Sequence, residues 1–335
     1  MPPQKIFLKE RIKRGLRLFL IITIITLIII LLLTIKKETW GSFKKLKAQY
    51  FLIIGTLWMI YILFDGLRLM TLVNSLGGRI NLKTSIDVIL AGIFLAAVTP
   101  FQIGGFPLQL YILNKKSLSL GKGSLALISR GILTGVLLST IFPFIIVYYR
   151  NYFTRGPIRV LFGYLSVVYI IFITSFVLFL VFPARLKRFF SFLKKYRWLG
   201  RFYDKFFYEV YEMRSGFGNF FTTQKAMLLV AFLYTIVSMG AYYLMPFFII
   251  TGLGVDAPFI NVTVLQIIIH CLLMFIPTPG ASGVAEGGFT FLYKGICPLE
   301  LLGIYTLIWR FFTFYLGAAI GGIFIVKLLK TKEIL

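Results

Sequence analysis

The chain has 335 residues, of which 59% are hydrophobic and 14% are charged, and its formal net charge is +25. Its mean hydropathy of +0.91 excludes a soluble globular protein of this length, because too little polar surface is available to cover a core. The composition therefore indicates a polytopic membrane protein.

Six apolar segments are long enough to cross about 30 Å of hydrocarbon as α-helices. They are continuous apolar runs without the alternation of a β-barrel, so an all-α protein is predicted. The first has the basic head of a signal peptide but a long apolar part and no cleavage site, which favours a retained signal anchor. The six spans are residues 16–35, 50–72, 125–147, 160–182, 226–251 and 301–326.

Two further apolar runs, residues 84–98 and 260–276, end in the pattern Thr-Pro-x-x-x-Gly. The segments after these breaks, about ten to twelve residues each, are too short to span a membrane. Each run and its following segment are therefore predicted to form a re-entrant hairpin with a non-helical tip. The tip residues are Thr99, Pro100, Gly104 and Gly105 in the first hairpin and Thr278, Pro279, Gly280 and Gly283 in the second.

The distribution of lysine and arginine predicts the topology. The positive-inside rule places both termini in the cytoplasm when each hairpin returns to the side from which it enters. The first hairpin then enters from the cytoplasm and the second from outside. Residues 1–335 thus form a single transmembrane domain with an inverted repeat, whose halves are about 84–182 and 260–327.

Residues 184–224 interleave basic and aromatic side chains between two predicted spans. On the cytoplasmic side of a membrane, such a segment favours interfacial contact with anionic lipid over nucleic-acid binding. The high net charge has the same explanation, and no nucleic-acid partner is expected.

Two arginines lie at matching distances after the breaks. Arg130 follows Pro100 by 30 residues, and Arg310 follows Pro279 by 31. A guanidinium inside a bilayer is costly and generally faces a partner or a water-filled cavity; the matched spacing favours function over snorkelling or structural pairing. Both arginines are expected at one cavity between the two prolines, where half-helix N-termini would also attract a phosphate-like anion.

Other polar residues in the apolar runs are candidates with open alternatives. Glu286 fits a helix N-terminal stabiliser, a partner for an arginine, or a ligand for substrate or protons. Asp65 and Arg68 share one helix face and fit either mutual pairing or substrate binding. Gln102 fits a head-group ligand or a tip cap, and His270 fits a neutral, hydrogen-bonded histidine better than a proton relay.

No cofactor or metal is predicted. Cys271 and Cys297 are the only cysteines, and no histidine cluster lies near either at metal-ligand spacing. The sequence also has no phosphate-binding loop for nucleotides, so transport driven directly by ATP is not expected.

Two motifs carry a family resemblance. Residues 277–286 read Pro-Thr-Pro-Gly-x-x-Gly-x-x-Glu, and the first break reads Thr-Pro-Phe followed by Gly-Gly-Phe-Pro at 104–107, with Arg130 beyond it. These segments resemble the signature regions of the lysylphosphatidylglycerol synthase/flippase transmembrane family, which includes the membrane half of the multiple peptide resistance factor and the YbhN-like proteins. The resemblance covers essentially the whole chain.

The resemblance implies a lipid flippase or scramblase-like transporter of the cell membrane that moves an anionic amphiphile between leaflets. Aminoacyl-phosphatidylglycerol, a glycolipid or a polyprenyl carrier is the implied cargo. No aminoacyl-transferase domain follows the last span, so an enzyme is not expected; a homo-oligomer and a partner lipid-synthesis enzyme stay open. An integral-membrane enzyme of lipid or glycan modification is the alternative, because intramembrane Asp, Glu and His could perform acid–base chemistry.

Overall fold

The computed structural model of the chain describes residues 48–116, 118–148, 183–189, 224–274 and 276–330, together with a few isolated positions. Within these residues all regular structure is helical and no strand is present. The predicted spans 16–35 and 160–182, and most of the segment 184–224, lie outside the described residues.

The helices follow the apolar runs of the sequence, and three short turns interrupt them among the described residues. Turns of 3₁₀ type occupy the two breaks, at Pro100–Gln102 and Pro279–Ala281, and a π-turn at Phe311–Tyr315 joins α9 to α10 as one continuous helix. The helices are α1 Ala48–Ser75, α2 Leu82–Ala97, α3 Gly105–Lys115, α4 Leu120–Tyr148, α5 Pro183–Phe189, α6 Lys225–Gly252, α7 Phe259–Leu273, α8 Val284–Tyr293, α9 Leu299–Arg310 and α10 Leu316–Lys330.

In the part of the chain that the structure describes, four helices are long and apolar enough to cross a membrane, which makes the chain a multi-pass membrane protein. They coincide with four of the six spans expected from the sequence. These helices are Gln49–Ser75, Leu120–Ile145, Lys225–Gly252 and the combined Leu299–Lys327.

Helices α1 and α6 pack along each other in opposite directions. The side chain of Gln224, just before α6, donates to the carbonyl of Ser75 at 2.7 Å, and the hydroxyl of Ser238 donates to the carbonyl of Tyr61 at 3.0 Å. The start of α6 therefore lies beside the end of α1.

Two units each consist of a helix, a break and a second helix that folds back. In the first break unit, α2 and α3 approach closely because Gly92 has no side chain; a Cβ there would lie 2.1 Å from Nε2 of Gln109. In the second break unit, formed by α7 and α8, the hydroxyl of Tyr293 donates to the carbonyl of Val262 at 2.7 Å.

The continuous helix α9–α10 packs against both break units. In α9, the Trp309 ring stacks on Phe289 of α8 with centroids 4.1 Å apart, and its Nε1 donates to Gln266 of α7 at 2.9 Å. In α10, a Cβ on Gly321 would lie 2.0 Å from the carbonyl oxygen of Leu90 in α2. The first half of this helix thus supports the second break unit, and its second half supports the first.

Candidate functional site

The two breaks share the conformation of the two residues after each proline and differ beyond them, where Gly104 has a φ of −67° and Gly283 a φ of +83°. The two residues after each proline have left-handed φ angles, +53° and +56° at Phe101 and Gln102 and +59° and +56° at Gly280 and Ala281. This conformation costs roughly 1–2 kcal/mol for a residue that carries a side chain. Its recurrence at three such residues indicates that surrounding contacts hold the breaks in this shape.

The threonine of each break makes a local hydrogen bond through its hydroxyl. The hydroxyl of Thr99 accepts from the amide of Gly104 at 3.0 Å and donates to the carbonyl of Leu95 at 2.7 Å. In the second break, the hydroxyl of Thr278 donates to the carbonyl of Ser282 at 2.9 Å. Each threonine therefore closes its own turn.

The two breaks meet in space. The amide of Phe101 donates to the carbonyl of Pro277 at 3.4 Å, and Nε2 of Gln102 donates to the carbonyl of Leu273 at 3.1 Å. The tip of the first break unit is thus hydrogen-bonded to the chain that enters the second break.

A cavity of about 380 Å³ lies beside this contact. Of the residues expected at the site, Gln102, Gly280 and Arg310 lie in its wall, as does His270. Tyr61, Tyr242 and Thr313 also line it and were not expected from the sequence, because lone tyrosines and threonines in apolar runs carry no distinguishing pattern.

Arg310 is 3% exposed and is held on three sides. Its Nε donates to Oε1 of Glu286 at 2.9 Å, its Nη2 donates to the carbonyl of Gly280, and its Cζ lies 4.2 Å from the centre of the Phe314 ring. The Nη1 atom makes no hydrogen bond to any of the described residues. The guanidinium is therefore fixed in the cavity wall with one nitrogen unengaged.

Glu286 pairs with an arginine, which was one of the alternatives that the sequence left open. Its carboxylate also accepts from the amide of Gly283 at 2.7 Å and from the hydroxyl of Tyr315 at 2.8 Å. The N-terminus of α8 is thus capped by a carboxylate of the chain itself. The expectation that this helix end attracts an external anion does not hold in this arrangement.

A second set of charges lies between α1 and α4. The carboxylate of Asp65 accepts from Nε of Arg130 at 2.9 Å and from Nη2 of the same residue, and it also accepts from Nη2 of Arg68. Nη1 of Arg68 donates to Thr134 at 2.9 Å and to Thr235 at 3.2 Å. We refer to Asp65, Arg68 and Arg130 as the ion cluster.

The structure does not bring both arginines to one cavity wall. Arg310 lines the cavity, whereas the guanidinium of Arg130 is directed to Asp65. A carboxylate in an apolar interior is a strong partner for a guanidinium, and this one lies on a helix that sequence spacing could not relate to α4. A role for either arginine in binding substrate stays a prediction.

Comparison with known proteins supplies the family. The model of the lysylphosphatidylglycerol synthase TM region matches residues 18–321. The chain belongs to this family. A UPF0104 membrane protein from Archaeoglobus fulgidus is 27% identical over 328 residues, which cover 93% of this chain and 97% of that relative. No solved structure matches the chain. The family resemblance carried by the two break motifs is thereby confirmed.

In this member of the lysylphosphatidylglycerol synthase TM family, His270 is engaged within the bundle. Its Nδ1 lies 2.9 Å from the hydroxyl of Tyr243. Cys271 and Cys297 are buried free thiols. Across the part of the chain that the structure describes, no group of three or more His, Cys, Asp or Glu side chains could hold a metal ion.

Proposed function

We propose that this protein moves a phosphate-bearing amphiphile between the leaflets of the cell membrane. The observation that carries the proposal is the contact between the two breaks beside a cavity with Arg310 in its wall. Broken helices that meet at a polar cavity are typical of transporter binding sites. An aminoacyl-phosphatidylglycerol-like lipid, a glycolipid and a polyprenyl carrier are the cargo classes that fit.

In the proposed topology, the two break units are re-entrant hairpins of opposite orientation, and both termini lie in the cytoplasm. The lengths of α3 and α8, 11 and 10 residues, support the hairpins, because a helix of that length rises only about 15 Å. The equal φ angles after the two prolines support a repeat. The excess of basic residues on the side of the termini supports the orientation.

The head group would enter the cavity while the acyl chains stay in lipid. A volume of about 380 Å³ suits a polar head group, since small-molecule pockets are roughly 300–1,000 Å³. Phe101, Ile103 and Phe106 are exposed at the first break and offer an apolar edge for the chains.

The polar contacts in the cavity favour weak, reversible binding. A phosphate oxygen would accept from Nη1 of Arg310, and the amide group of Gln102 lies in the same wall. Because the carboxylate of Glu286 balances the positive charge of Arg310, the head group meets an ion pair and not a free guanidinium. A transporter needs this property, since cargo that is held too tightly is not released.

Reconstitution into vesicles tests the proposal. We expect the purified protein to accelerate leaflet exchange of at least one fluorescent phospholipid, glycolipid or polyprenyl phosphate, measured by chemical quenching of the outer leaflet. Exchange no faster than in protein-free vesicles for the whole panel would overturn it.

Variants of Arg310 test the site. We expect Arg310→Gln to abolish exchange, whereas Lys294→Gln removes the same charge from an exposed position and leaves exchange unchanged. Because Arg310→Gln leaves Glu286 unpaired, the double variant Arg310→Gln/Glu286→Gln restores neutrality and guards against unfolding. Wild-type exchange in a folded double variant would contradict the role of Arg310.

A further inference from the structure

The ion cluster holds one more positive charge than negative charge in the interior of the protein. Asp65 is fully buried, and the side chains of Arg68 and Arg130 are 2% and 20% exposed. Among the described residues, no second carboxylate contacts either guanidinium. An uncompensated charge in the membrane interior costs several kcal/mol, so this arrangement calls for a counter-ion.

Two donor groups of the cluster have no hydrogen-bond partner among the described residues. Nε of Arg68 is buried and has no hydrogen-bond partner among the described residues. Arg130 directs Nε and Nη2 to Asp65, which leaves Nη1 on a side chain that is partly exposed. Asp65 therefore positions two guanidinium groups without saturating them.

The cluster and the cavity differ in position and in charge. Tyr61 lines the cavity and lies four residues before Asp65 on α1, so the cluster is displaced from the cavity toward Ser75. Arg310 is balanced by Glu286, whereas the cluster has a charge of +1. An anion would consequently be attracted more strongly to the cluster than to the cavity.

We propose that Arg130 and Arg68, positioned by Asp65, form a second anion site that takes a phosphate group and is separate from the Arg310 cavity. The phosphate group comes from a lipid head group or from free phosphate. As a station on the path of a transported lipid, this site rests on the function proposed above. In the proposed topology it lies on the cytoplasmic side of the cavity, so a head group that enters from the cytoplasm meets it first.

The site is tested by binding to the full-length protein in detergent. Short-chain phosphatidylglycerol, short-chain phosphatidylcholine and inorganic phosphate are titrated separately, with the melting temperature as the readout. Both lipids carry a phosphate, but the choline group neutralises its charge in phosphatidylcholine. We therefore expect the positively charged cluster to bind phosphatidylglycerol about tenfold more tightly than phosphatidylcholine. Equal affinities for the two lipids, with no response to phosphate, would overturn the proposal.

Arg130→Gln is the decisive variant, because it leaves a neutral Asp65–Arg68 pair in place. We expect it to lose the preference for phosphatidylglycerol and to respond less to phosphate than the wild type does. Lys122→Gln is the matched control, since it removes the same charge from an exposed position of the same helix; its affinity should stay within about twofold of the wild type. An unchanged preference in Arg130→Gln would also overturn the proposal.

Further variants distinguish a binding defect from unfolding. Arg68→Gln makes the same charge change from the other side of Asp65 and should produce the same loss, whereas Arg130→Lys keeps the charge and should retain the preference.

A response of the wild type to phosphate alone identifies free phosphate as the ligand, and a response to phosphatidylglycerol alone identifies the lipid.

The failure of this proposal can be told apart from failure of the transport function. Arg310→Gln should keep the lipid preference of the cluster even where exchange is lost. Binding that depends on Arg130 in a protein that exchanges no lipid would overturn transport and leave the anion site. Lipid exchange by a protein whose anion binding does not depend on Arg130 would overturn the anion site and leave the transport function.

Discussion

Glu286 and Arg310 are joined by a hydrogen bond of 2.9 Å between Oε1 and Nε, with both side chains almost completely buried. The same carboxylate oxygen accepts from the hydroxyl of Tyr315, at the end of the π-turn. One acidic side chain therefore fixes the second break, the arginine in the cavity wall and the turn between α9 and α10.

We expect Glu286→Gln to lower the free energy of unfolding by about 3 kcal/mol, because breaking one partner of a buried ion pair leaves the other charge uncompensated. The melting temperature of the purified protein in detergent measures the change. Asp256→Asn removes an exposed carboxylate and is the control. Equal melting temperatures for the two variants would show that the pair contributes nothing to the fold.

Substitution by alanine should change the stability in opposite directions at Gly283, which precedes α8, and at Gly287, which lies inside it. Gly283 has a φ of +83°, so Gly283→Ala should destabilise the protein by roughly 1–2 kcal/mol. Gly287 lies inside α8 with no described atom within 4 Å of an added Cβ, so Gly287→Ala should stabilise it by about 0.5–1 kcal/mol. Thermal unfolding in one detergent compares them, and a shift of the same sign in both would contradict the backbone conformation of the second break.

The contact between α10 and α2 depends on Gly321. An added Cβ would lie 2.0 Å from the carbonyl oxygen of Leu90, which is backbone and cannot swing away, so Gly321→Ala should cost about 1–3 kcal/mol of stability. Gly240 in α6 has no described atom within 4 Å of an added Cβ, and Gly240→Ala should leave the melting temperature unchanged or raise it. A tolerated Gly321→Ala would show that these helices pack less closely.

The meeting of the two breaks can be tested in the membrane by cross-linking. In a background with both native cysteines replaced by alanine, Phe101→Cys and Pro277→Cys should form a disulfide on mild oxidation, because their backbones are joined by a hydrogen bond of 3.4 Å. Mass spectrometry of the digested protein detects the linked peptides. Phe101→Cys with Ile260→Cys should not cross-link, since the start of α7 lies about 20 Å along the helix from Leu273. Equal yields for the two pairs would contradict the contact.

The helices of the described chain follow from the sequence because apolar length and Pro-Gly breaks determine them locally. The expected span 226–251 is within one residue of α6 at each end, and the expected break at Thr99 begins two residues after α2 ends. The shared Thr-Pro spacing precedes the two left-handed residues of each break, whereas the different φ angles of Gly104 and Gly283 do not follow from it.

The pairing of side chains across helices could not be predicted from the sequence in the same way. The pairing of Arg130 with Asp65 depends on how α1 and α4 rotate toward each other, and no spacing along one helix contains that information. Tyr315 reaches Glu286 from the end of a π-turn, which a regular helical period does not anticipate. The sequence thus identified Arg130 and Arg310 as a matched pair, whereas the fold gives them different partners.

The helix that runs through α9 and α10 has one further consequence. Helix α9 packs against the second break unit and α10 against the first, and Arg310 and the π-turn lie between these two contacts. A rotation of one break unit relative to the other would have to be taken up in this short stretch, where the backbone already departs from α-helical hydrogen bonding. The same few residues therefore connect the two halves of this helix and contribute Arg310 and Thr313 to the wall of the cavity.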